Sequence, residues 1–209
     1  DGREEPEAVA GAHNLLARLH YWAGNHPASI ESAQAALMIR EQTGDVWGAA
    51  SVQTNLGMLY HRQGKWAQAE SFLRQAIFVQ QEIGDRQGTV LSSNNLGLLL
   101  LESGRFDEAM DCMNEAVENL QRQQHSPAVV SQVYGNRGLL WLRMGQPEHA
   151  IADLERCRAA ADRADNDDLR ALSLAYVAEA HLSGRLTASA RELLEQSRLL
   201  AAANNVPEI

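Results

Sequence analysis

The sequence predicts an all-α chain of about five antiparallel helix pairs stacked in register as a solenoid. Three observations predict it. Five glycines, Gly24, Gly64, Gly104, Gly145 and Gly184, recur at spacings of 40, 40, 41 and 39 residues. Small residues recur at fixed distances on either side of them. Ala and Leu dominate the composition, and aromatic residues make up only 5% of the 209, which favours helix over sheet.

Each anchor glycine marks the turn inside a pair. Two residues later stands a residue that opens the second helix: His26, Trp66, Phe106, Pro147 and Leu186. Seven residues before the glycine stand Ala17, Gly57, Gly97, Gly138 and Val177, each preceded by Leu16, Leu56, Leu96, Arg137 or Tyr176. Five residues after it stand Ser29, Ala69, Ala109, Ala150 and Ser189. A glycine inside a helix costs about 1 kcal/mol relative to alanine. Close approach of two backbones is the offset, so Gly57 is expected to face Ala69, and Gly97 to face Ala109. Tyr60, Trp66, Phe106 and Trp141 are expected to fill the space between hairpins as core.

The junctions between pairs repeat as well. Twenty residues after each anchor stand Gly44, Gly84, Gln124, Asp165 and Asn204, and then Asp45, Asp85, His125, Asn166 and Asn205. Gly or Asn suits a left-handed helix stop, and Asp or Asn suits the cap of the next helix. In the irregular copy, Ser126-Pro127 offers a cap and a first-turn proline; Pro27 and Pro147 likewise suit first turns. The pattern gives ten helices between about Glu5 and Asn204. Residues 1–6 read as a frayed lead-in and 7–209 as one solenoid domain, with repeats near 7–44, 45–84, 85–125, 126–165 and 166–205. The chain opens without Met and ends in a junction-like Asn204-Asn205-Val206-Pro207, so a piece of a longer chain is expected.

Aligned on the anchors, the copies approach the pattern W-x₂-L-G-x₂-Y…A-x₃-F. One copy carries Leu56, Gly57, Tyr60, Ala69 and Leu73; the next carries Leu96, Gly97, Leu100, Ala109 and Met113; a third carries Gly138, Trp141, Ala150 and Leu154. In these residues the chain resembles the tetratricopeptide repeat family across almost its whole length. The usual period is about 34 residues. A period near 40 resembles the longer-repeat branch of kinesin light chains, spindle-orientation adaptors and helical sensor domains of bacterial regulators. The resemblance implies a right-handed superhelical solenoid whose first helices line a concave groove. It also implies a non-catalytic scaffold that holds a partner protein or peptide there.

Two residues before the small-residue column stand Leu15, Asn55, Asn95, Asn136 and Ala175. Asparagine is a mediocre helix residue, so three in succession need a reason. An amide offers donors and an acceptor to an extended peptide backbone. In the longer-repeat relatives a similar asparagine ladder clamps a bound peptide, which maps here onto Asn55, Asn95 and Asn136. The alternative is that these amides bond to neighbouring first helices and stiffen the stack; both readings stand. The same wall carries Arg18, Met58, Leu98, Leu139 and Ala178, then Tyr21, His61, Leu101, Leu142 and His181, then Trp22, Arg62, Glu102, Arg143 and Leu182. Leu98, Leu101, Leu139 and Leu142 make its middle apolar, with His61 beside them and Arg62 and Arg143 on the rim. An amphipathic peptide with some acidic character fits that wall.

Other function classes find little support. A net charge of −9 disfavours nucleic acid or an anionic membrane surface as partner. No run of about 18 apolar residues is present to span a bilayer. Lys65 is the only lysine, so the lysine-based carboxylate clamp known in the family is not expected. The seven histidines show no zinc spacing, and no phosphate-binding glycine loop or nucleophile signature occurs. The acidic residues Asp162, Asp165, Asp167 and Asp168 lie at a junction and lack calcium-loop spacing. No enzyme activity, cofactor or metal is expected. Cys112 and Cys157 read as buried free thiols, consistent with a reducing cytoplasm, and the Ala, Arg and Gln usage with a bacterial source. A competing reading is a structural module within a larger multidomain regulator. It would self-assemble, as a homodimer for example, through terminal hairpins exposing Leu193, Leu194, Leu199 and Leu200.

Overall fold

The structure, a computed structural model, describes residues 4–184 and 186–203. Ten helices follow in order: α1 Glu4–Trp22, α2 His26–Thr43, α3 Val46–Arg62, α4 Trp66–Glu82, α5 Arg86–Glu102, α6 Phe106–Gln121, α7 Pro127–Arg143, α8 Pro147–Arg163, α9 Asp167–Ser183 and α10 Thr187–Ala203. Among the described residues there is no strand. The chain divides into two compact units, Asp1–Ser103 with α1 to α5 and Gly104–Ile209 with α6 to α10. In each unit successive helices pack on one another through short turns. Helix α1 starts at Glu4, earlier than the lead-in read from the sequence. Pro6 is tolerated there because first-turn N–H groups need no intrahelical acceptor.

The turns follow from the residues placed in them. Gly24, Gly64, Gly104 and Gly145 all hold φ between 71° and 76°, as do the junction glycines Gly44 and Gly84. At these helix ends the backbone N–H two positions past the last capped turn closes back on the helix, as in Lys65 N to Tyr60 O at 3.0 Å and Asp45 N to Arg40 O at 2.9 Å. Asp165 takes the same left-handed seat at φ 48°. The next residue caps the following helix: Asp45 Oδ1 accepts from Gly48 N at 2.8 Å, Asp85 Oδ1 from Gly88 N at 2.9 Å, and Asn166 Oδ1 from Leu169 N at 3.0 Å. Ser126 performs that task in the irregular copy, before Pro127. Replacing Asp85 by alanine should cost about 1 kcal/mol, and asparagine should recover most of it. Urea midpoints of the two variants check this; equal midpoints would remove the cap from the account. Asn204 and Asn205 lie outside the described residues.

The fifth copy departs from the columns read in the sequence. Gly184 has φ −80° and caps α9 in a right-handed conformation. The closing bond runs from Leu186 N to His181 O at 2.7 Å, one residue later than the matching bond at the other anchors, such as Lys65 N to Tyr60 O. The 39-residue spacing is one short, and every column there shifts by one. In that register Ala178 and Ala190, both fully buried, stand in the small-residue columns in place of Val177, which packs in the core, and the exposed Ser189. Tyr176, not Ala175, then occupies the asparagine column.

Packing explains the small residues. A Cβ at Gly57 would lie 2.5 Å from Leu73 Cγ and 3.4 Å from the Ala69 carbonyl oxygen. A Cβ at Gly138 would lie 2.5 Å from Leu154 Cγ. Leu73, Leu154, Ala69 and Ala150 are wholly buried, so each glycine admits a leucine from the second helix. In the first hairpin Ser29 stands in the same column, and its hydroxyl donates to Ala17 O at 2.7 Å. The second unit's core gathers Ala150, Leu154, Val177 and Ala180, with Trp141 and Leu142 packed against it. Tyr60 stacks on Phe72 at 5.5 Å inside the first unit. Trp66 was expected in the core but is 40% exposed. It opens α4 at the lip of the turn, where its ring meets only the edge of His61.

Two polar clusters within the core carry no signal in the sequence. In the first unit Thr54 Oγ1 and Ser92 Oγ lie 2.7 Å apart, and the buried Gln80 amide joins both. In the second, Asp153 is almost completely buried and accepts from Arg137 Nε at 2.7 Å and Nη2 at 2.9 Å. Arg137 also donates to Asn114 Oδ1 at 3.0 Å, and Arg156 reaches Asp153 from the surface. Of the thiols, Cys157 is buried 3.3 Å from Ser131 Oγ. Burial pushes its pKa up more than that hydrogen bond lowers it, so it packs as a neutral group. Cys112 is only half-buried, because its neighbour Met113 takes the inward position.

Candidate functional site

The first helices differ in how tightly they close on one another. Between α3 and α5 the seam is shut by Thr54–Ser92 and by His61 Nε2 to Glu102 Oε2 at 2.9 Å. Between α7 and α9 it is shut by Trp141 and Leu142 on Val177 and Ala180. Between α1 and α3 it is open. There the polar links are one amide pair, Asn55 Nδ2 to Asn14 Oδ1 at 3.5 Å, and Arg62 standing over the Tyr21 ring at 5.5 Å. A recess of about 310 Å³ fills the gap, lined by Asn14, Arg18, Tyr21, Trp22, Asn55, Met58, Leu59 and Arg62 among others. A second recess of about 320 Å³ lies on the other side of Asn55, between Trp47, Ser51, Gln87 and Leu91.

The residues singled out in the sequence fall into different environments. In the first unit Asn55 is exposed and borders both recesses. Asn95 is 8% exposed, so its amide offers little surface. Arg62 is exposed, while Leu98 and Leu101 are half-buried. His61 is largely covered, held between Glu102 and the Trp66 ring. In the second unit Asn136 and Leu139 are half-buried, Leu142 leans on the core cluster, and Arg143 is exposed. The three amides are therefore unequal, although they share one column. The column fixes the side of the helix; the depth of the seam fixes the exposure.

The sequence reading placed Arg18, Tyr21 and Trp22 on this wall without giving them a role. The structure stacks Arg18 on Trp22 at 5.2 Å, one turn along α1. The i,i+4 spacing could have suggested that pair; the Tyr21–Arg62 pair joins two helices and has no local signature. At the acidic junction Arg170 donates to Asp167 Oδ1 at 2.5 Å and Asp165 Oδ1 at 3.2 Å, and to the Asp162 carbonyl oxygen at 3.0 Å. Its bond to Asp167, then the charge of both carboxylates, holds the guanidinium firmly protonated against the opposing effect of burial. No helix among the described residues is long and apolar enough to cross a membrane.

No curated protein matches the sequence. Solved structures do match in fold. A kinesin light chain-like protein of Podosopora anserina with nearly identical TPR-like repeats superposes with a TM-score of 0.73 at 20% identity, over 95% of this chain and 97% of that one. A signal transduction ATPase with a tetratricopeptide repeat sensor from Pyrococcus horikoshii gives 0.79 at 18% identity, over 96% of this chain and 30% of that one. The Rap conjugation gene regulator of plasmid pLS20, in complex with the Phr* peptide, gives 0.76 at 19% identity, over 96% and 53%. The profile of the tetratricopeptide repeat matches residues 8–82 and 48–122, together more than half of the sequence. The helical hairpins, their glycine turns and this match lead to one conclusion: the chain belongs to the tetratricopeptide repeat family.

Proposed function

We propose that this chain is a non-catalytic scaffold that holds an extended or helical segment of a partner protein against its first helices. The observation that carries the reading is Asn55. It is an exposed amide on a helix wall, set between two recesses, with one long bond to Asn14. Such an amide can exchange that weak link for the donor and acceptor of a peptide backbone. The half-buried Leu98 and Leu101 in the first unit, and Leu139 and Leu142 in the second, supply apolar surface beside Asn95 and Asn136. Arg62 and Arg143 supply charge at the edge, with His61 as a covered neighbour. The peptide-bound state of the Rap regulator supports the same use of this fold. We infer a cytoplasmic bacterial regulator with further domains as the setting, supported by the free thiols and the sensor role named for the Pyrococcus neighbour's repeats.

The test is a selection of peptides from a displayed random dodecapeptide library on the wild-type chain. Asn55→Ala should weaken the selected peptides about three- to tenfold, the worth of one hydrogen bond, and leave the melting temperature unchanged. Equal affinity for both proteins would overturn the placement, and a library that yields no binder would overturn the scaffold reading itself.

A second reading rests on exposed apolar residues in the first and last helices, Leu15, Leu16 and Leu19 in α1 and Leu194 and Leu199 in α10; Leu193, which packs on the core, and Leu200 are half-buried rather than exposed. These could bury against another copy, as the self-assembly alternative requires. Light scattering across a concentration series distinguishes them. A dimer lost on Leu194→Glu and Leu199→Glu supports assembly; a monomer at all concentrations removes it.

A further inference from the structure

We propose that the recess between α1 and α3 reads an acidic side chain, an internal Asp or Glu of the bound segment, through Arg18 and Arg62. The proposal deepens the scaffold reading and rests on it. Its first support is charge. The chain as a whole carries −9, yet this recess is lined by two guanidiniums, two amides and no carboxylate. Among the described residues neither Arg18 nor Arg62 forms an ion pair; Arg86, Arg143, Arg163 and Arg191 also form none, but none of those four lines this recess. Arginines left unpaired beside a cavity, in an acidic chain, are charge without an internal use.

The second support is preorganisation. Each guanidinium lies over an aromatic ring, Arg18 over Trp22 at 5.2 Å and Arg62 over Tyr21 at 5.5 Å. A guanidinium held over a ring keeps N–H groups to donate beyond it, the geometry that suits a carboxylate. It also restrains two long side chains before binding, which lowers the entropy lost on capture. Asn14 and Asn55 line the same recess and can take the backbone on either side of the acidic residue. Met58 and Leu59 add apolar surface, which calls for an apolar neighbour next to the acid. At about 310 Å³ the recess has room for one such pair of side chains rather than a folded element.

The experiment uses dodecapeptides tethered through their C-terminal end, so that no free C-terminal carboxylate is present. Binders to the wild-type chain should be enriched in an Asp or Glu beside an apolar residue. An amidated synthetic version of one binder should lose about tenfold or more in affinity when that acid becomes Asn or Gln. The same loss should appear on the Arg18→Gln/Arg62→Gln double variant, whose circular dichroism and melting temperature report whether it still folds. Added salt should weaken the acidic peptide far more than its neutral counterpart. If the neutral peptide binds as well as the acidic one, or if the double variant retains full affinity, the recess does not read an acid, while the scaffold function stands. If only peptides with a free C-terminal carboxylate bind, the occupant is a chain end and the proposal falls. If Asn55→Ala and the double variant both leave affinity intact, the wall is not the binding surface at all.

Discussion

Replacing Gly138 by valine is expected to lower the stability of the second unit by about 3 kcal/mol. The first carbon of any side chain there meets Leu154 Cγ at 2.5 Å, well inside van der Waals contact. Leu154 is wholly buried and joins Ala150, Val177 and Ala180 in the core, so it has no empty space to move into. Overpacking of this kind costs about 1–3 kcal/mol, and a β-branched side chain adds rotamer strain inside the helix. The improved helix propensity relative to glycine returns at most about 1 kcal/mol. Hydrogen exchange resolved along the chain is the suitable measurement, because a repeat protein can loosen locally. Protection should fall across α7 to α9 and hold in α1 to α4. Unchanged protection in α7 would show that the helices do not meet where Gly138 lies.

Replacing Arg137 by methionine should cost a similar amount, about 3–5 kcal/mol, for an electrostatic reason. Asp153 has a side chain only 3% exposed, and Arg137 satisfies both of its oxygens. Without Arg137 the carboxylate keeps only Arg156, which reaches it from a largely exposed position. The variant should lose much of its stability, because a buried carboxylate is left with a single, largely exposed partner. The double variant Arg137→Met/Asp153→Leu should recover most of the loss, since it leaves no unpaired charge. Urea midpoints of the wild type, Arg137→Met, Asp153→Leu and the double variant form the cycle. A single variant as stable as the double one would mean that Asp153 never depended on its partner.

The placement of Arg137 shows where sequence reading stops. Its column holds leucine in three other copies, and nothing local to it signals a charge partner. The sequence could not show that an aspartate sixteen residues later, on another helix, makes this position one half of a buried ion pair. The fifth copy teaches a related lesson. Gly184 looked like the fifth anchor because it is a glycine at almost the right spacing. In the structure the closing bond comes one residue later, and Ala178 and Ala190 are the wholly buried small residues at the matching distances. Similarly, Asn55, Asn95 and Asn136 share a column and yet range from exposed to buried.

The sequence by itself determined the helices, their turns and their caps. Those features depend on neighbours within a few residues: a left-handed glycine, an aspartate one position on, a proline in a first turn. It also determined which side of α3 and of α7 faces its hairpin partner, at Gly57 and Gly138, since a 40-residue period repeats the same local solution. Only the tertiary structure decided which seams between first helices close and which stay open. Thr54 and Ser92 close one, Trp141 and Leu142 close another, and the α1–α3 seam is left with two arginines over aromatic rings and a recess. The width of a seam depends on side chains about 40 residues apart meeting at a particular depth, and no local pattern in the chain records that depth.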